Sequence, residues 1–352
     1  MRRSFLELLV DPVHHGPLVL EAGDGVGDVI DGILRAIDGR AYPIRGGLPR
    51  FVVTEDEGQL QTLDAFSFKW SREESYSWMR RTGPSAPTES WLWEKYGFKS
   101  DQEWREHYCS CRQILDLGCG AGMASWSWLT SDRWDGSAAW VGLDISRAVE
   151  VAAANLSSIP STHFVQGDAL QLPFPSSCFD AILSEGVLHH TPSTRSAILA
   201  ASRVLSTGGE FGFYVYRRKG PVREFTDDHV RDQIANLSNE EAWGAMRPLT
   251  KLGRSLARLQ SEVEVEEDVP LLGIKAGRQD VQRLIYWNFA KLFWNEQLDF
   301  EENVHINFDW YRPRYAHRQS VAEVQSWCTE AGLEIRHLHE EDSGITVRAV
   351  KM

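Results

Sequence analysis

Asp116, Gly118, Gly120 and Gly122 stand at alternate positions in the stretch ILDLGCGAGMAS, residues 114–125. Ile114, Leu115 and Leu117 suit a short buried strand, and residues 123–129 suit a helix. Glycines between a strand and a helix make a tight turn at which the backbone itself can touch a ligand. A second strand-like run, AWVGLDI (139–145), carries Asp144 about one helix and one strand further on. At that spacing a carboxylate reaches a ribose hydroxyl in a βαβ nucleotide site. Met123 stands where a dinucleotide fingerprint needs its third glycine, and no Gly-Lys-Ser/Thr triplet follows to make a phosphate-cradling loop. Two imidazoles, His189 and His190, follow the strand-like run 179–183 and are candidates for a general base. The alternative is that they only shape the wall of a pocket.

These residues need elements to hold them. Between 114 and 216, strand-like and helix-like segments alternate, as a doubly wound α/β fold requires. Ser146 is a plausible N-cap for a helix carrying Val149, Ala152 and Leu156 on one face. The next strand, 163–166, runs into Gly167, Asp168 and Ala169. Residues 195–205 repeat apolar side chains at helical spacing, Gly208 and Gly209 end that helix, and 210–216 reads as a fifth strand. Ser184 and Glu185 fall at the C-terminal end of the fourth strand, the edge at which open parallel sheets bind ligands. Ser320 and Glu323 spell a capping box, followed by strands over 333–338 and 344–350.

The Asp116, Gly118, Gly120, Gly122 pattern resembles motif I of the class I S-adenosylmethionine-dependent methyltransferases. The resemblance is strong over 112–216. It implies a Rossmann-like, mostly parallel seven-stranded sheet and S-adenosylmethionine as cofactor. On that resemblance the cofactor residues are Trp70, Asp116, Gly118, Cys119, Gly120, Asp144, Ile145, Asp168, Ala169, Ser184 and Glu185. Asp168 would accept from the adenine amino group and Ala169 would donate its backbone N–H. The phrase GRAYPIRGGLPRFV (39–52) resembles short zinc-ribbon-like methyltransferase activators. Asp11, His14, Arg35 and Asp38 stand where that family places its thiolates, and arginine does not ligate zinc, so no metal is expected. Residues 58–110 resemble a lid over the cofactor, entered by a Phe-x-x-x-Trp phrase; Phe66, Phe68 and Trp70 alternate, so two share a side if extended. An aromatic face there could attract a sulfonium, and plain helix packing is the alternative.

The implied organisation is a degenerate zinc-ribbon-like module over 1–57 and a helical lid over 58–110. The core covers 111–217, a helical cap 218–318, and the last helix and strands 319–352. Within the cap, SEVEVEED (261–268) reads as an exposed segment. A helix over 284–297 would align Leu284, Trp287, Lys291 and Trp294. HINFDWYRPRYAHR (305–318) is dense in chemistry for a surface loop. The acceptor site is expected beyond the fourth and fifth strands, from Tyr214, His305, Asp309, Tyr311, Arg312 and Arg314 with Glu185, His189 and His190. Two arginines there suit a carboxylate or phosphate.

Composition narrows the function. The 352 residues carry 37 basic and 50 acidic side chains, a net charge of −13, which disfavours a large nucleic-acid footprint. Five cysteines without a C-x-x-C pair fit a reducing cytoplasm. No run of 18 apolar residues is present and the first ten residues lack the apolar stretch of a signal peptide, so no membrane association is expected. Fourteen tryptophans either pack flanking helices or line a substrate cavity. Methyl transfer to oxygen or nitrogen of a small-molecule acceptor, by a cytoplasmic monomer or homodimer, is the favoured reading. A macromolecular acceptor (tRNA or protein) and a non-catalytic cofactor-binding protein are the alternatives.

Overall fold

The computed structural model describes residues 1–21, 27–76, 93–129 and 136–352. Residues 77–78 and 89–92 of the aromatic phrases, with Trp78 and Trp91, lie outside them, as does Trp134.

A seven-stranded sheet runs through the chain in the order 333–340, 344–351, 205–216, 179–185, 113–117, 139–144, 162–166. Strands β5 (Gln113–Leu117), β6 (Ala139–Asp144), β7 (Thr162–Gln166), β8 (Phe179–Glu185) and β9 (Leu205–Tyr216) are parallel. Strands β12 (Leu333–Glu340) and β13 (Gly344–Lys351) close the other edge, with β13 antiparallel to both β9 and β12. The central strands are covered on both faces, and so read as continuous apolar runs: Ile114, Leu115, Leu117, Val141 and Ile182 are at most 1% exposed. The chain leaves β5 for β6 and β7 on one side and returns to β8 on the other. The switch point therefore lies beyond the C-terminal ends of β5 and β8, where the glycine turn and Glu185 stand.

The helix over 195–205 is Thr194–Val204, and Gly208 and Gly209 do not end it. They lie inside β9, where Gly208 has φ +80° and the register with β8 shifts between Phe179 and Ala181. A positive φ lets the glycine make an irregularity in a strand as readily as a helix cap.

The N-terminal segment forms a four-stranded antiparallel sheet, β1 (Leu18–Glu21), β2 (Gly32–Ala36), β3 (Ala41–Arg45) and β4 (Leu48–Pro49). Its Leu34, Tyr42, Ile44 and Phe51 share one apolar cluster with Leu143 and Val165 of the central sheet. Phe5 stacks on His163 with ring centroids 4.3 Å apart. Of the positions compared with zinc thiolates, buried Asp11 accepts from Tyr42 Oη at 2.6 Å and from Arg40 at 3.1 Å. Arg40 also pairs with Asp38, and Arg35 turns to Glu21 at 2.6 Å.

Helix α1 (Glu57–Ser71) begins at Asp56, whose carboxylate accepts from Gln59 N. Because Phe66, Phe68 and Trp70 are helical and not extended, Phe66 and Trp70 share a face one turn apart while Phe68 points to Phe308 and Trp243. Helices α2 (Asp101–Cys109), α3 (Met123–Leu129), α4 (Ala148–Asn155) and α5 (Thr194–Val204) precede the cap.

The cap holds α6 (Pro221–Ile234), α7 (Asn239–Ala257), an exposed hairpin of β10 (Glu262–Val265) and β11 (Gly277–Asp280), α8 (Val281–Asn288) and α9 (Phe300–Tyr311). The helix expected to reach residue 297 stops at Asn288. Side chains of α9 take up the backbone beyond it: Phe293 N donates to Asn307 at 3.0 Å and Asn295 N to Asn303 at 2.7 Å. Residues 305–311, dense for a loop, are the second half of α9, started by a capping box between Asp299 and Glu302. Helix α10 (Val321–Glu330) starts with the capping box of Ser320 and Glu323. Among the described residues no helix is long and apolar enough to cross a membrane.

Candidate functional site

The glycine turn hangs on the next strand. Gly118 N and Cys119 N both donate to Leu143 O, at 2.7 and 3.0 Å. Gly118, Gly120 and Gly122 all have positive φ, from +53° to +82°. A Cβ at Gly118 would stand 2.3 Å from the Val187 side chain, and one at Gly120 would stand 3.2 Å from the Trp70 indole. The turn therefore admits neither the conformation nor the volume of a larger residue. Asp144 is fixed by donors alone. Its Oδ2 accepts from Gly120 N at 2.9 Å, and its Oδ1 from Ser146 N and Oγ at 2.8 and 2.6 Å. Ser146 thus orients Asp144, while α4 has Arg147 at its N-cap position. Asp116 lies under the turn, receiving the Ser125 hydroxyl, which in turn accepts from Trp140 Nε1 at 2.9 Å. Burial pushes the Asp116 carboxyl up to about 7 and raises Asp144 and Asp168 as well. Asp168 also accepts from Leu170 N at 2.9 Å and from the Gln59 side chain.

These groups line one end of a cavity of about 410 Å³. Trp70, Asp116, Gly118, Cys119, Gly120, Asp144, Ile145, Asp168, Ala169 and Glu185 all face it. Ser184 does not: it is fully buried and its hydroxyl donates to Leu117 O at 2.9 Å, tying β8 to β5.

The other end is walled by α1, the short 3-10 turn at residues 188–190, β9 and α9. Lys69, buried on α1, pairs with Asp309 of α9 and lies 4.1 Å from the Trp70 ring centre. Burial alone would raise the Asp309 carboxyl, but Lys69 beside it holds it well below the usual carboxylate range. Asp309 Oδ2 also accepts from Tyr216 Oη at 3.4 Å. Glu185, at the end of β8, accepts from buried Lys95 and, at 2.6 Å, from Tyr96 Oη. The Lys95 ammonium lies 3.5 Å from the Tyr214 ring centre.

Two histidines of this end have their tautomers set by their partners. His190 Nδ1 is 2.6 Å from Tyr315 O, and a carbonyl only accepts, so Nδ1 carries the proton. His305 Nδ1 is 2.9 Å from Ser75 Oγ, whose own hydrogen goes to Arg72 O, so Nδ1 is again the donor. Burial pushes His190 down to about 4 and His305 down to about 3. Both rings are neutral near pH 7, with Nε2 unprotonated. His189 is arranged the other way: Tyr216 N donates to its Nδ1 at 3.3 Å, its ring lies tilted against that of Tyr216 with centroids 3.7 Å apart, and it is fully buried away from the cavity.

The structure divides the expected acceptor set. Tyr214, His190, His305 and Asp309 face the cavity. Tyr311 and Arg312 do not. Tyr311 Oη donates to Asp227 at 3.1 Å and accepts from Lys291 N at 3.0 Å. The Arg312 guanidinium donates to Ile234 O and Leu237 O at the end of α6, at 3.1 and 2.9 Å, and to Asn239 Oδ1 at 2.8 Å. Orphan carbonyls at a helix end want such a cation. Arg314 is exposed and lies with Tyr311 and Arg312 around a separate cavity of about 170 Å³. Sequence reading missed Gln59, Lys69, Ser75, Lys95 and Tyr96. A lysine just before Trp70 in an aromatic phrase was the one visible signal. Among the described residues no group of three or more His, Cys, Asp or Glu side chains comes together to hold a metal ion.

Residues 115–213 match the family described as "Methyltransferase domain". The chain is 30% identical over 130 residues to the phthiotriol/phenolphthiotriol dimycocerosates methyltransferase of Mycobacterium tuberculosis, covering 37% of this chain and 47% of the relative. It is 31% identical over 119 residues to the demethylmenaquinone methyltransferase of Staphylococcus epidermidis, covering 32% and 48%. The chain spans about half the length of the curated relatives it matches. Among solved structures, an S-adenosylmethionine dependent methyltransferase from Mesorhizobium loti is 17% identical with a TM-score of 0.40, covering 68% of this chain and 91% of that one. Residues 115–213, with the glycine turn, the strand ends and the carboxylates gathered there, match a methyltransferase domain, and the cofactor that goes with it is S-adenosylmethionine.

Proposed function

We propose that the chain transfers a methyl group from S-adenosylmethionine to an oxygen or nitrogen atom of a small-molecule acceptor in specialised metabolism. One observation carries the reading. A single cavity joins the glycine turn to a wall of titratable and aromatic side chains, so a cofactor and a second small molecule can meet inside it. Similarity to proteins named for phthiotriol and demethylmenaquinone methylation supports a small-molecule acceptor.

Gly118 and Gly120 would lie against the cofactor, Asp144 would take the ribose hydroxyls, and Asp168 and Ala169 the adenine. When bound, the cofactor would supply a methyl group activated on a sulfonium, to be taken by an acceptor lone pair with the S–CH3 electron pair staying on sulfur as S-adenosylhomocysteine. The chain's part is to fix the acceptor in line and keep water out, and such positioning is worth up to ~7–11 kcal/mol. Helices α1 and α9, joined by the Lys69–Asp309 pair, wall the acceptor end and suit that role. Residues 1–57 we read as a zinc-ribbon-like module in which the Arg40 guanidinium, between Asp11 and Asp38, replaces a metal.

Calorimetry tests the cofactor assignment. S-adenosylhomocysteine is expected to bind, and Asp144→Ala to weaken it by the loss of a charged hydrogen bond, ~1.5–3 kcal/mol or roughly tenfold to a hundredfold. Unchanged affinity in Asp144→Ala refutes it.

A further inference from the structure

Resting on the methyl-transfer reading, we propose that the acceptor is an uncharged hydroxyl compound with an aromatic body, methylated on oxygen, whose hydroxyl hydrogen is received by the cavity-facing imidazoles of His190 and His305. Three independent features of the acceptor end converge on it.

The first is the direction of the hydrogen bonds. His190 and His305 come from distant parts of the chain, and each spends its Nδ1–H on a fixed oxygen, Tyr315 O and Ser75 Oγ. Each keeps an unprotonated Nε2 with no hydrogen-bond partner in the described protein, and both rings line the cavity. Two such acceptors in a wall whose other polar groups are paired call for a ligand that donates, because an unmet buried polar group is destabilising.

The second is charge. Lys69 is spent on Asp309 and Lys95 on Glu185. Arg312 and Arg314 lie around the separate cavity. The acceptor end therefore holds, among the described residues, no unspent cation for a carboxylate or phosphate and no unspent carboxylate for an ammonium. An ion buried there would lack a counter-charge, the costliest kind of burial. This replaces the anionic acceptor expected from the two arginines.

The third is shape. Phe66, Tyr214 and Tyr216 supply ring faces and edges around these polar atoms. Such walls hold a flat unsaturated body by packing and ring contacts.

The proton balance is consistent. As the hydroxyl oxygen bonds to the methyl carbon it becomes a protonated ether, a strong acid. Its proton passes to an imidazole Nε2, and the positive charge moves from the cofactor's sulfur to the ring. Imidazoles held well below their ordinary value by burial are still far more basic than a protonated ether, so no prior ionisation of the hydroxyl is needed.

The test uses the full chain saturated with S-adenosylhomocysteine. Calorimetry then compares 2-naphthol, 2-naphthoate and 2-naphthylmethylammonium. Naphthol is expected to bind at least tenfold more tightly than either ion. Nitrogen-edited NMR of the histidines is expected to show Nδ1–H tautomers for both rings at pH 7. Asparagine reproduces the Nδ1 donor and lacks Nε2. Accordingly the double variant His190→Asn/His305→Asn should keep its affinity for S-adenosylhomocysteine, lose naphthol affinity, and transfer labelled methyl about 10²–10⁴-fold more slowly. Naphthoate or the ammonium binding as well as naphthol overturns the proposal. So do Nε2–H tautomers, a double variant with unaltered naphthol binding, or no naphthol binding by protein that holds S-adenosylhomocysteine normally. Failure to bind S-adenosylhomocysteine at all sinks the underlying reading with it.

Discussion

The two ends of the cavity hold their carboxylates by different means. At the glycine turn, Asp144 and Asp168 are held by N–H and O–H donors and by Gln59, with no lysine or arginine in hydrogen-bond contact. At the opposite end, Asp309 and Glu185 each grip a buried lysine. Neutral donors orient a carboxylate and leave its field intact, whereas a buried ammonium cancels it. One end therefore keeps negative potential suited to a sulfonium and an amine, and the other is polar without net charge. The contrast separates a carboxylate-rich end from a charge-balanced end within a single cavity.

Breaking the neutralised end has the largest expected effect. Asp309→Ala leaves Lys69 buried without its counter-ion and should cost ~3–5 kcal/mol of stability, whereas Lys69→Met/Asp309→Leu should recover most of that loss. Chemical denaturation measures both, and a double variant as unstable as the single one contradicts the pairing. Next comes the glycine turn. Gly118→Ala forces a Cβ into a left-handed residue and against Val187. Strain of ~1–2 kcal/mol and overpacking of ~1–3 kcal/mol should weaken S-adenosylhomocysteine binding measured by calorimetry.

A third pair sharpens the boundary of the acceptor end. Arg312→Ala removes the guanidinium from the α6 carbonyls and should lower stability by ~1–3 kcal/mol, while Arg314→Ala should stay within ~0.5 kcal/mol. Neither should change naphthol affinity; a loss with stability intact would return the arginines to the site. The last prediction concerns the pH dependence of Asp116. Its folded value is raised to about 7 from the ordinary 3.8, so its neutral form is the one the fold prefers. The stability that this preference contributes is complete below the unfolded value and disappears as pH rises toward 7. Asp116→Asn should therefore gain in melting temperature relative to the parent between pH 4 and 7 and hold that gain above. A pH-independent difference would show that Asp116 is ionised throughout.

Local pattern was enough for the glycine-turn end of the cavity. The glycines, Asp116 and Asp144 lie within one strand, turn, helix and strand, and the Gly120–Asp144 contact spans 24 residues. Apolar runs told the parallel strands apart from helices, because strands covered on both faces leave no room for polar alternation. Pattern failed where a residue could satisfy two geometries. Gly208 suits a helix end or a strand irregularity, Phe66 and Trp70 share a face only in a helix, and the segment after Asn288 lost its helix to asparagines of α9.

The sequence by itself determined the strand–turn–helix with its glycine turn, since backbone conformation and glycine content are local properties. Only the tertiary structure decided the opposite end of the cavity. Lys69 meets Asp309 across 240 residues, Ser75 meets His305 across 230 and Lys95 meets Glu185 across 90. No periodicity encodes which buried lysine will neutralise which acid, nor which ring nitrogen a distant hydroxyl will fix. Arg312 makes the point in reverse: its chemistry suited an anion, and the packing of α9 beside the end of α6 gave it carbonyls to satisfy instead.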